Sequence, residues 1–577
     1  MKYKILIILL VFLASNLFAQ NKSYNLKTYC KVWGLCKYYT NTNDADWDEV
    51  FFNDYNELLV VEDNDALNIL LERLIKQTHL KETTIVESNV DSSFTIADFS
   101  KLKNKHEKLV LKTDFSWIFN TTTISLTNKQ LLRLLLKTYK GKKPNTVSGK
   151  VPEHKKEIVY NEFNNKIALL ALLRFYNVIE YYYPYKHLLD NNWDSVLTKM
   201  IPFFLNCDNS DEYKKALKLF SSYLQDSHVF VDFKNKIKMS KSDTPKYKEK
   251  YPVTFGFTFS NLFISNVLND SISDYHDIQI GDTITKINNE NLETLISKMT
   301  QSASYSRKKL SLSRVNVFLH QQKTLTLTIG DKNRLINKVK MTQDEFLNLF
   351  QYNKLSATKI NIDKNIGYIY LPSSKYSKID NVFRKYKEKE TIILDCRGYG
   401  TTAALKLPKL LSKNKSTVAS LYLPTKKYPG VFKKNKDETY YFSNTIDVIG
   451  KFLFSYKNKI FPTFNTPYKG NIIVLIDDNA VSFGETVIMM LKVYAKNAVF
   501  IGRPTTGANG NVTTLKLPLG EELYYTGIDF RFADGTELQR KGIQPNIYVP
   551  KTIEAVINGE DEILNAAIKY IEDGRKN

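Results

Sequence analysis

Cysteine and histidine are scarce in this chain, which contains four and seven of them among 577 residues. The cysteines form no C-x-x-C pair and no zinc-binding spacing, and the sequence shows no motif for a metal or a cofactor. Cys30 and Cys36 lie six residues apart in a helical pattern. That spacing separates their Cα atoms by about 9 Å and excludes a disulfide between them. The sequence therefore predicts buried free thiols at Cys30, Cys36, Cys207 and Cys396.

Long apolar runs are absent after the first twenty residues, so we expect no stable membrane span in the mature chain. The start, MKYKILIILLVFLASNLFAQ, places Lys2 and Lys4 before an apolar run that ends in Asn-Leu-Phe-Ala. This arrangement is typical of a secretory signal peptide, here residues 1–19 with cleavage after Ala19. The sequence thus predicts a protein secreted through the inner membrane, periplasmic or extracellular.

Acidic residues are outnumbered by basic ones, 60 against 82, which gives a formal net charge of +22. The lysines are scattered over the whole chain, and this distribution is typical of a solvated basic surface. An exported protein is not expected to meet nucleic acid, so we do not interpret the charge as a nucleic-acid interface.

Two stretches of the N-terminal half repeat one layout of aromatic helical segments. The first begins near Leu26 and the second near Leu172. The repeat predicts an internal duplication of a helical unit, in which the aromatic residues pack the helices together. The alignment pairs Tyr38-Tyr39 with Tyr181-Tyr182, Trp47-Asp48 with Trp193-Asp194, and Thr78-His79 with Ser227-His228, which makes His79 and His228 formally equivalent.

The sequence pattern changes from helical to strand-like after the second helical stretch. The run VTFGFTFSNLFISNVL alternates with period two, and an apolar-x-x-Gly-Asp turn, a short strand and a helix come after it. This order resembles a PDZ domain, which binds an extended chain end by adding it to an open sheet edge beside a carboxylate-accepting loop. Phe255, Gly256 and Phe257 would form that peptide-binding loop. A Gly between two Phe is equally consistent with an ordinary kink in a strand.

The last part of the chain alternates apolar strands, such as TIILDCRGYG and NIIVLID, with helical stretches. This alternation predicts a mixed or mostly parallel sheet with crossover helices, and hence a multidomain α/β fold. The predicted domains are a signal peptide (1–19), an N-terminal helical domain with the first repeat copy (20–150), a helical subdomain that carries His228 (151–250), a PDZ-like domain (251–345) and a core domain (346–577).

Ser482 stands where an apolar strand, Ile472 to Ile476, turns sharply into a helix. Enzymes with α/β folds hold a nucleophile at such a turn, at the carboxyl edge of the sheet. Serine is also a favoured N-cap, and the stretch is not a G-x-S-x-G elbow. From this stretch alone, a nucleophile and a simple helix cap are both consistent with Ser482.

Five motifs follow one another in the second half of the chain: Asp395-Cys396-Arg397-Gly398, Ala480-Val481-Ser482-Phe483-Gly484-Glu485, Gly502-Arg503-Pro504-Thr505-Thr506-Gly507, Asp534-Gly535 and Gly542-Ile543-Gln544-Pro545-Asn546. In this order they resemble the tail-specific, or C-terminal processing, serine peptidases, and the resemblance covers about residues 165 to 560. It implies polypeptide substrates and Ser482 as the nucleophile. It also implies that the backbone N–H groups of Gly398 and Phe483 form the oxyanion hole.

The general base must differ from that of the best-known members of the family. They carry a lysine just after the Thr-x-Gly turn, where this chain has Ala508 and Asn509. Tricorn-type relatives take their base from a Ser-His pair ahead of the PDZ-like module, and His228 fits that place. Imidazole is also a better general base than a lysine, whose pKa must be lowered by several units. Lys516 lies nearby but is expected to be an exposed strand residue.

The third catalytic member is expected just before the late Gly-Ile-x-Pro, where the tricorn pattern has Glu and this chain has Gln539. Its amide oxygen could accept the imidazole N–H and orient the ring. Glu485 and Glu537 are the alternatives.

The resemblance implies a serine endopeptidase that engages C-terminal regions of polypeptides and cleaves them through an acyl-enzyme. The alternative is a pseudo-peptidase that binds peptides without cutting them. Cysteine chemistry at Cys396 is a poor third candidate, because a cysteine at a strand end is usually buried.

Overall fold

The structure is a computed structural model of the chain. It describes residues 22–42, 44–80, 109–141, 158–233, 247–258, 261–307, 315–350, 364–413, 416–425, 427–434 and 467–576. The predicted signal peptide lies outside these ranges. None of the described helices combines the length and the apolar content that crossing a bilayer requires.

The described N-terminal half consists of helices and short strands around one aromatic core. Side chains of Asp46, Asp63, Asn192 and Asn209 accept hydrogen bonds from first-turn N–H groups and so fix where four of the helices begin. The elements are α1 (22–39), α2 (Trp47–Leu58), α3 (Asn64–Lys76), β1 (Leu109–Leu111), α4 (Ser116–Asn120), α5 (Leu126–Thr138), α6 (Asn165–Tyr182), a 3₁₀ turn (Lys186–Leu188), α7 (Trp193–Leu205), α8 (Ser210–Ser222) and β2 (Phe230–Asp232).

The predicted duplication is present in the helix bounds. Helices α2 and α7 begin at Trp47 and Trp193, and α3 and α8 begin at Asn64 and Ser210, so both pairs are offset by 146 residues (193 less 47, and 210 less 64). The two copies therefore share one geometry over these helices.

The predicted equivalence of His79 and His228 is wrong, because the alignment of the two copies is shifted by three residues at this point. After α3 the chain passes through a left-handed residue, His79 (φ 50°), and after α8 it does so at Gln225 (φ 48°), again 146 residues later (225 less 79). Gln225 is therefore the counterpart of His79. The similar Thr-His and Ser-His dipeptides fall at different positions of the loops after the two helices, which explains the misalignment.

Two ion pairs, one of them fully buried, join the two copies reciprocally. Lys31 of α1 contacts Asp194 of α7, and Arg174 of α6 contacts Asp48 of α2. In both pairs the aspartate is the second residue of its helix, directly after Trp47 or Trp193, and the cation belongs to the other copy. Two-fold symmetric dimers use the same exchange at their interfaces, whereas here it occurs within one chain.

The buried pair between Arg174 and Asp48 provides a stability test. We expect Asp48→Ala to lower the free energy of unfolding by about 3–5 kcal/mol, because it removes the carboxylate that faces a guanidinium of 2% exposure. Asp211→Ala, which breaks an exposed pair with Lys214, is the control and should cost under about 1 kcal/mol. Urea unfolding followed by circular dichroism measures both variants. Equal small losses would show that the buried pair does not tie the copies together.

A separate small core and sheet follow the helical half. We call this part, residues 247–350, the PDZ-like module, a name that refers only to the resemblance of its sequence. Its main sheet has the order β4-β5-β6-β8-β9, with β7 on β6, and β3 pairs with β10. The elements are β3 (Tyr247–Lys250), β4 (Val253–Phe257), β5 (Leu262–Val267), α9 (Asp270–His276), β6 (Thr283–Ile287), β7 (Glu290–Asn291), α10 (Leu292–Ser302), α11 (Val315–His320), β8 (Thr326–Ile329), β9 (Lys332–Leu335), β10 (Val339–Thr342) and α12 (Gln343–Phe350).

The C-terminal part contains the predicted parallel sheet. The elements are β11 (Ile366–Tyr370), a 3₁₀ turn (Leu371–Ser373), α13 (Ile379–Lys385), β12 (Thr391–Asp395), a 3₁₀ helix (Thr402–Lys406), α14 (Leu407–Leu411), β13 (Ala419–Pro424), β14 (Val431–Lys434), β15 (Asn471–Ile476), α15 (Phe483–Tyr494), β16 (Val499–Gly502), β17 (Val512–Lys516), β18 (Glu522–Thr526), β19 (Asp529–Phe532), β20 (Ile547–Tyr548), α16 (Ile553–Asn558) and α17 (Glu562–Lys576).

Strands β11-β12-β15-β16-β20 form this sheet, with all neighbours parallel. Alternate residues of β15 face opposite layers: Ile473 and Leu475 belong to a cluster with α17, while Val474 and Ile476 belong to a cluster with α15. A parallel sheet covered on both faces confirms the predicted α/β class.

Short strands join the helical half to the C-terminal part. Strand β1 pairs with β14, and β2 pairs with β18 in a three-stranded sheet of order β17-β18-β2. Strand β2 begins at Phe230, two residues after His228. The pairing therefore carries the His228 loop to the sheets that surround Ser482.

Candidate active site

Ser482 sits at a strained turn between β15 and α15. Its backbone has φ 54° and ψ −118°, a region that costs a residue with a Cβ about 1–3 kcal/mol and that clusters at active sites. Its N–H donates to Ala508 O at 2.9 Å, and its side chain makes no capping hydrogen bond to the helix. A simple helix cap is therefore excluded, since the Ser482 hydroxyl accepts no hydrogen bond from the first-turn N–H groups of α15.

The loop after β12 lies against the start of α15. Gly398 has φ 144°, and a side-chain carbon at Gly484 would come within 2.6 Å of the Gly398 carbonyl oxygen. Glycine at position 484 permits this close approach. Among the described residues, no hydrogen bond occupies the N–H of Gly398. The structure thus brings Gly398 beside Ser482 and Phe483.

Arg397 fixes the chain immediately before Gly398. Its guanidinium donates to Asp395 at 2.6 Å and to the two Asp561 carboxylate oxygens at 2.6 and 2.7 Å. Tyr368 also donates its hydroxyl to Asp395, at 2.6 Å. Bidentate guanidinium–carboxylate contacts are strong and directional, so this network holds the glycine loop at the sheet edge.

Glu485 anchors the segment that receives the Ser482 N–H. Its carboxylate, fully buried, accepts from Thr505 Oγ1 at 2.5 Å, Gly507 N at 2.7 Å and Ala508 N at 3.0 Å. Burial raises the pKa of Glu485 to about 7, although these hydrogen bonds act in the opposite direction. Glu485 therefore supports the nucleophile and does not take the orienting position suggested for it.

His228 lies in the loop between α8 and β2, and Thr526 is its ring partner. His228 Nδ1 is hydrogen-bonded to Thr526 Oγ1 at 2.9 Å. The buried carboxylate of Asp226 accepts from the backbone N–H groups of His228 (3.0 Å) and Thr526 (3.2 Å). One Asp226 oxygen also lies 3.9 Å from His228 Nδ1. Thr526 and Asp226 together hold the ring.

A three-residue segment, 508–510, connects the two halves of the site. Its first residue accepts the Ser482 N–H, and a side-chain carbon at Gly510 would lie 2.8 Å from Thr526 Cγ2. Thr526 in turn contacts His228. The structure therefore brings the Ser482 turn and the His228 loop to one short segment.

The other predicted members hold different places. Gln539 is buried, and its amide oxygen accepts from Asn509 N at 3.4 Å, so it supports the segment 508–510. The hydrogen bond to His228 Nδ1 that was expected from Gln539 is made by Thr526. Glu537 pairs with His187 at 2.7 Å and Arg531 at 2.9 Å. Lys516 is exposed at the end of β17, as predicted.

The edge of β4 is filled by the protein itself. The Asn316 side chain accepts from Phe255 N at 2.6 Å and donates to Phe255 O at 2.8 Å. Four residues further along α11, His320 Nε2 is hydrogen-bonded to Val253 O at 3.0 Å. The stretch Phe255-Gly256-Phe257, expected to form a carboxylate-accepting loop, lies instead in strand β4. At Val253 and Phe255, α11 makes hydrogen bonds that an added peptide strand would make.

The four cysteines are buried free thiols, which confirms the prediction. Burial raises the pKa of the Cys396 thiol well above its ordinary value. A buried thiol does not ionise readily, so Cys396 is not a nucleophile.

Thr526 is the site residue that sequence reasoning missed. It lies at the end of an alternating strand, and no local pattern distinguishes it from other strand threonines. The sequence could have indicated Asp226, because it directly precedes Ser227 and His228 in the chain.

A serine at a strained strand-to-helix turn, beside a glycine loop at the carboxyl edge of a parallel sheet, defines a serine-type hydrolase. Residues 365–549 match the family model of peptidase family S41. The match includes Gly398, Ser482 and Phe483, and the protein is a serine-type peptidase.

Solved structures of three proteases are similar to this chain at low identity. Mature CPAF is 14% identical over 70% of this chain and 97% of its own, with a TM-score of 0.49. The photosystem II D1 C-terminal processing protease is 13% identical over 70% and 99%, with a TM-score of 0.35. The tricorn protease is 14% identical over 72% and 37%, with a TM-score of 0.35. No curated protein sequence matches the chain.

The Thr526 hydroxyl offers a test of the site. We expect Thr526→Val to lower kcat about three- to tenfold, which corresponds to one hydrogen bond of about 0.5–1.5 kcal/mol, while Thr526→Ser keeps the activity. Thr514→Val, at a half-buried position of the adjacent strand β17, is the matched control and should leave kcat unchanged. Steady-state kinetics on a short ester substrate measures all three. Wild-type kcat in Thr526→Val would remove Thr526 from the site.

Proposed function

We propose that this protein is a serine endopeptidase that cleaves polypeptides through an acyl-enzyme. The observation that supports the proposal most is the backbone of Ser482, which is held at φ 54° with its hydroxyl free of a capping role. Strain of this kind persists only where the surroundings impose it, and here it presents the hydroxyl at the edge of the sheet.

In the proposed acylation step, Ser482 Oγ attacks the substrate carbonyl carbon while His228 Nε2 accepts the hydroxyl proton. The backbone N–H groups of Gly398 and Phe483 would donate to the oxyanion that forms. His228 then gives the proton to the leaving amine, and the peptide bond breaks.

Water completes the cycle by the same route. His228 accepts a proton from the water that attacks the acyl-enzyme, and returns it to Ser482 Oγ as the ester breaks. In this scheme His228 Nδ1–H donates a hydrogen bond to Thr526 Oγ1, which leaves Nε2 unprotonated for its role as a base. Asp226, at 3.9 Å, stabilises the imidazolium by its charge.

Two further parts of the proposal concern location and chain-end recognition. The sequence 1–19 supports export to the periplasm or beyond. Engagement of polypeptide C-terminal regions by the PDZ-like module requires that Asn316 leave Phe255, since both cannot pair with the same backbone groups.

The nucleophile is tested by Ser482→Ala. We expect loss of polypeptide cleavage with folding intact, because the change removes one hydroxyl that makes no capping bond. Labelling by a fluorophosphonate serine probe should occur in the wild type and disappear in the variant. A folded wild type that neither labels nor cleaves would favour the pseudo-peptidase, and an active variant would refute Ser482.

The base is tested by His228→Ala, which should lower kcat/KM on the order of 10³-fold or more. His79→Ala and Lys516→Ala are the controls, and both should retain activity because these side chains are exposed and outside the site. The wild-type kcat/KM should rise through neutral pH as the imidazole loses its proton. An alkaline profile together with an active His228→Ala would assign the base to another group.

A further inference from the structure

The segment Ser304–Arg307, which we call the bridging segment, follows α10 of the PDZ-like module. Ser304 and Ser306 are each 1% exposed. Their polar atoms contact loops of the active site, although the sequence assigns them to a module for chain-end capture.

On one side the bridging segment holds the His228 loop. Ser304 Oγ accepts from Asp226 N at 2.9 Å, and Ser306 Oγ accepts from Ser227 N at 2.9 Å. In return, Ser306 N donates to Ser227 Oγ at 3.0 Å. The residues directly before His228 are therefore hydrogen-bonded to the module through backbone and side chain.

On the other side the segment holds the loops that support Ser482. Arg307 Nη2 donates to Pro504 O at 3.1 Å and to Thr505 O at 2.5 Å. Thr505 is also a donor to Glu485, whose carboxylate anchors the segment 508–510. Arg540, next to Gln539, donates to Ser306 O at 3.2 Å.

We propose that Ser306 and Arg307 are positioning residues that set the distance between His228 and Ser482, an inference that rests on the proposed function. A general base must come within about 2.6–3.2 Å of the hydroxyl that it deprotonates. A misplacement of about 1 Å can lower the rate on the order of 10²-fold. Within four consecutive residues the bridging segment contacts both loops, so the segment fixes their separation.

This role differs from chain-end capture. Capture acts on substrate binding and leaves the cleavage of small substrates unchanged, whereas positioning acts on the chemical step for every substrate. The PDZ-like module then completes the active site whether or not a peptide is bound to it.

The test measures kcat and KM on a short ester for Ser306→Ala and Arg307→Met. We expect kcat to fall on the order of 10- to 100-fold with KM within about twofold, and Arg307→Lys, which keeps a donor, to recover part of the loss. Ser297→Ala, at an exposed position of α10, is the matched control and should keep wild-type kcat.

A double-mutant cycle separates positioning from general destabilisation. Ser306→Ala removes the bond from Ser227 N, and Ser227→Ala removes the reciprocal bond from Ser306 N. Because each bond holds the other in place, the double variant should lose less kcat than the product of the two single losses. Additive losses in kcat, or wild-type kcat in both Ser306→Ala and Arg307→Met, would overturn the inference. Loss of activity accompanied by unfolding in near-ultraviolet circular dichroism would also overturn it, because the residues would then be structural only.

Failure of the proposed function gives a different pattern. In that case the wild type itself neither hydrolyses the ester nor labels with the serine probe, and the inference falls with it. An active wild type, an inactive Ser482→Ala and unaffected bridging-segment variants would refute the inference alone.

Discussion

One buried carboxylate fixes both halves of the active site. Glu485 has no solvent exposure and is hydrogen-bonded to Thr505, Gly507 and Ala508. A buried charge without such partners is strongly unfavourable, so the burial of Glu485 and the position of its partner segment require each other. The same segment receives the Ser482 N–H and continues to Gly510 beside Thr526. The proposed nucleophile and the proposed base therefore share one anchor.

Three parts of the chain meet at this anchor. The parallel-sheet core supplies the strained serine and the glycine loop, and Arg397 holds that loop at the sheet edge. The second helical copy supplies His228, which the pairing of β2 with β18 carries to Thr526. The PDZ-like module supplies the bridging segment between them. Catalytic groups placed on loops between rigid elements in this way combine access with fixed geometry.

The first helical copy has a structural part in this arrangement. None of the proposed catalytic residues lies in it, yet its Asp48 and Lys31 pair with Arg174 and Asp194 of the second copy. Its strand β1 also pairs with β14 of the C-terminal part. The duplication thus gives the base-bearing copy a complementary partner, much as one subunit of a dimer supports the other.

The PDZ-like module is closed where an open edge was expected. Asn316 and His320, one helical turn apart on α11, make the hydrogen bonds of an absent neighbour strand. Sheet edges in natural proteins are commonly covered in such ways, because unpaired N–H and C=O groups attract other chains. The contacts that this module makes with the rest of the protein therefore explain its presence better than the edge does.

The sequence by itself determined the parallel sheet, the turn at Ser482, the glycine loop at Gly398, the exposed Lys516 and the buried thiols. Each of these follows from a local pattern: a run of apolar residues, a turn residue or an alternation of burial. The tertiary structure alone decided that Thr526 and not Gln539 is hydrogen-bonded to the His228 ring. It also decided that Gln225 and not His228 is the counterpart of His79, and that α11 makes hydrogen bonds to the strand edge at Phe255. Thr526 and His228 are 298 residues apart in the chain. A hydrogen bond over such a separation depends on how whole elements pack, and neither partner carries a local signal of it.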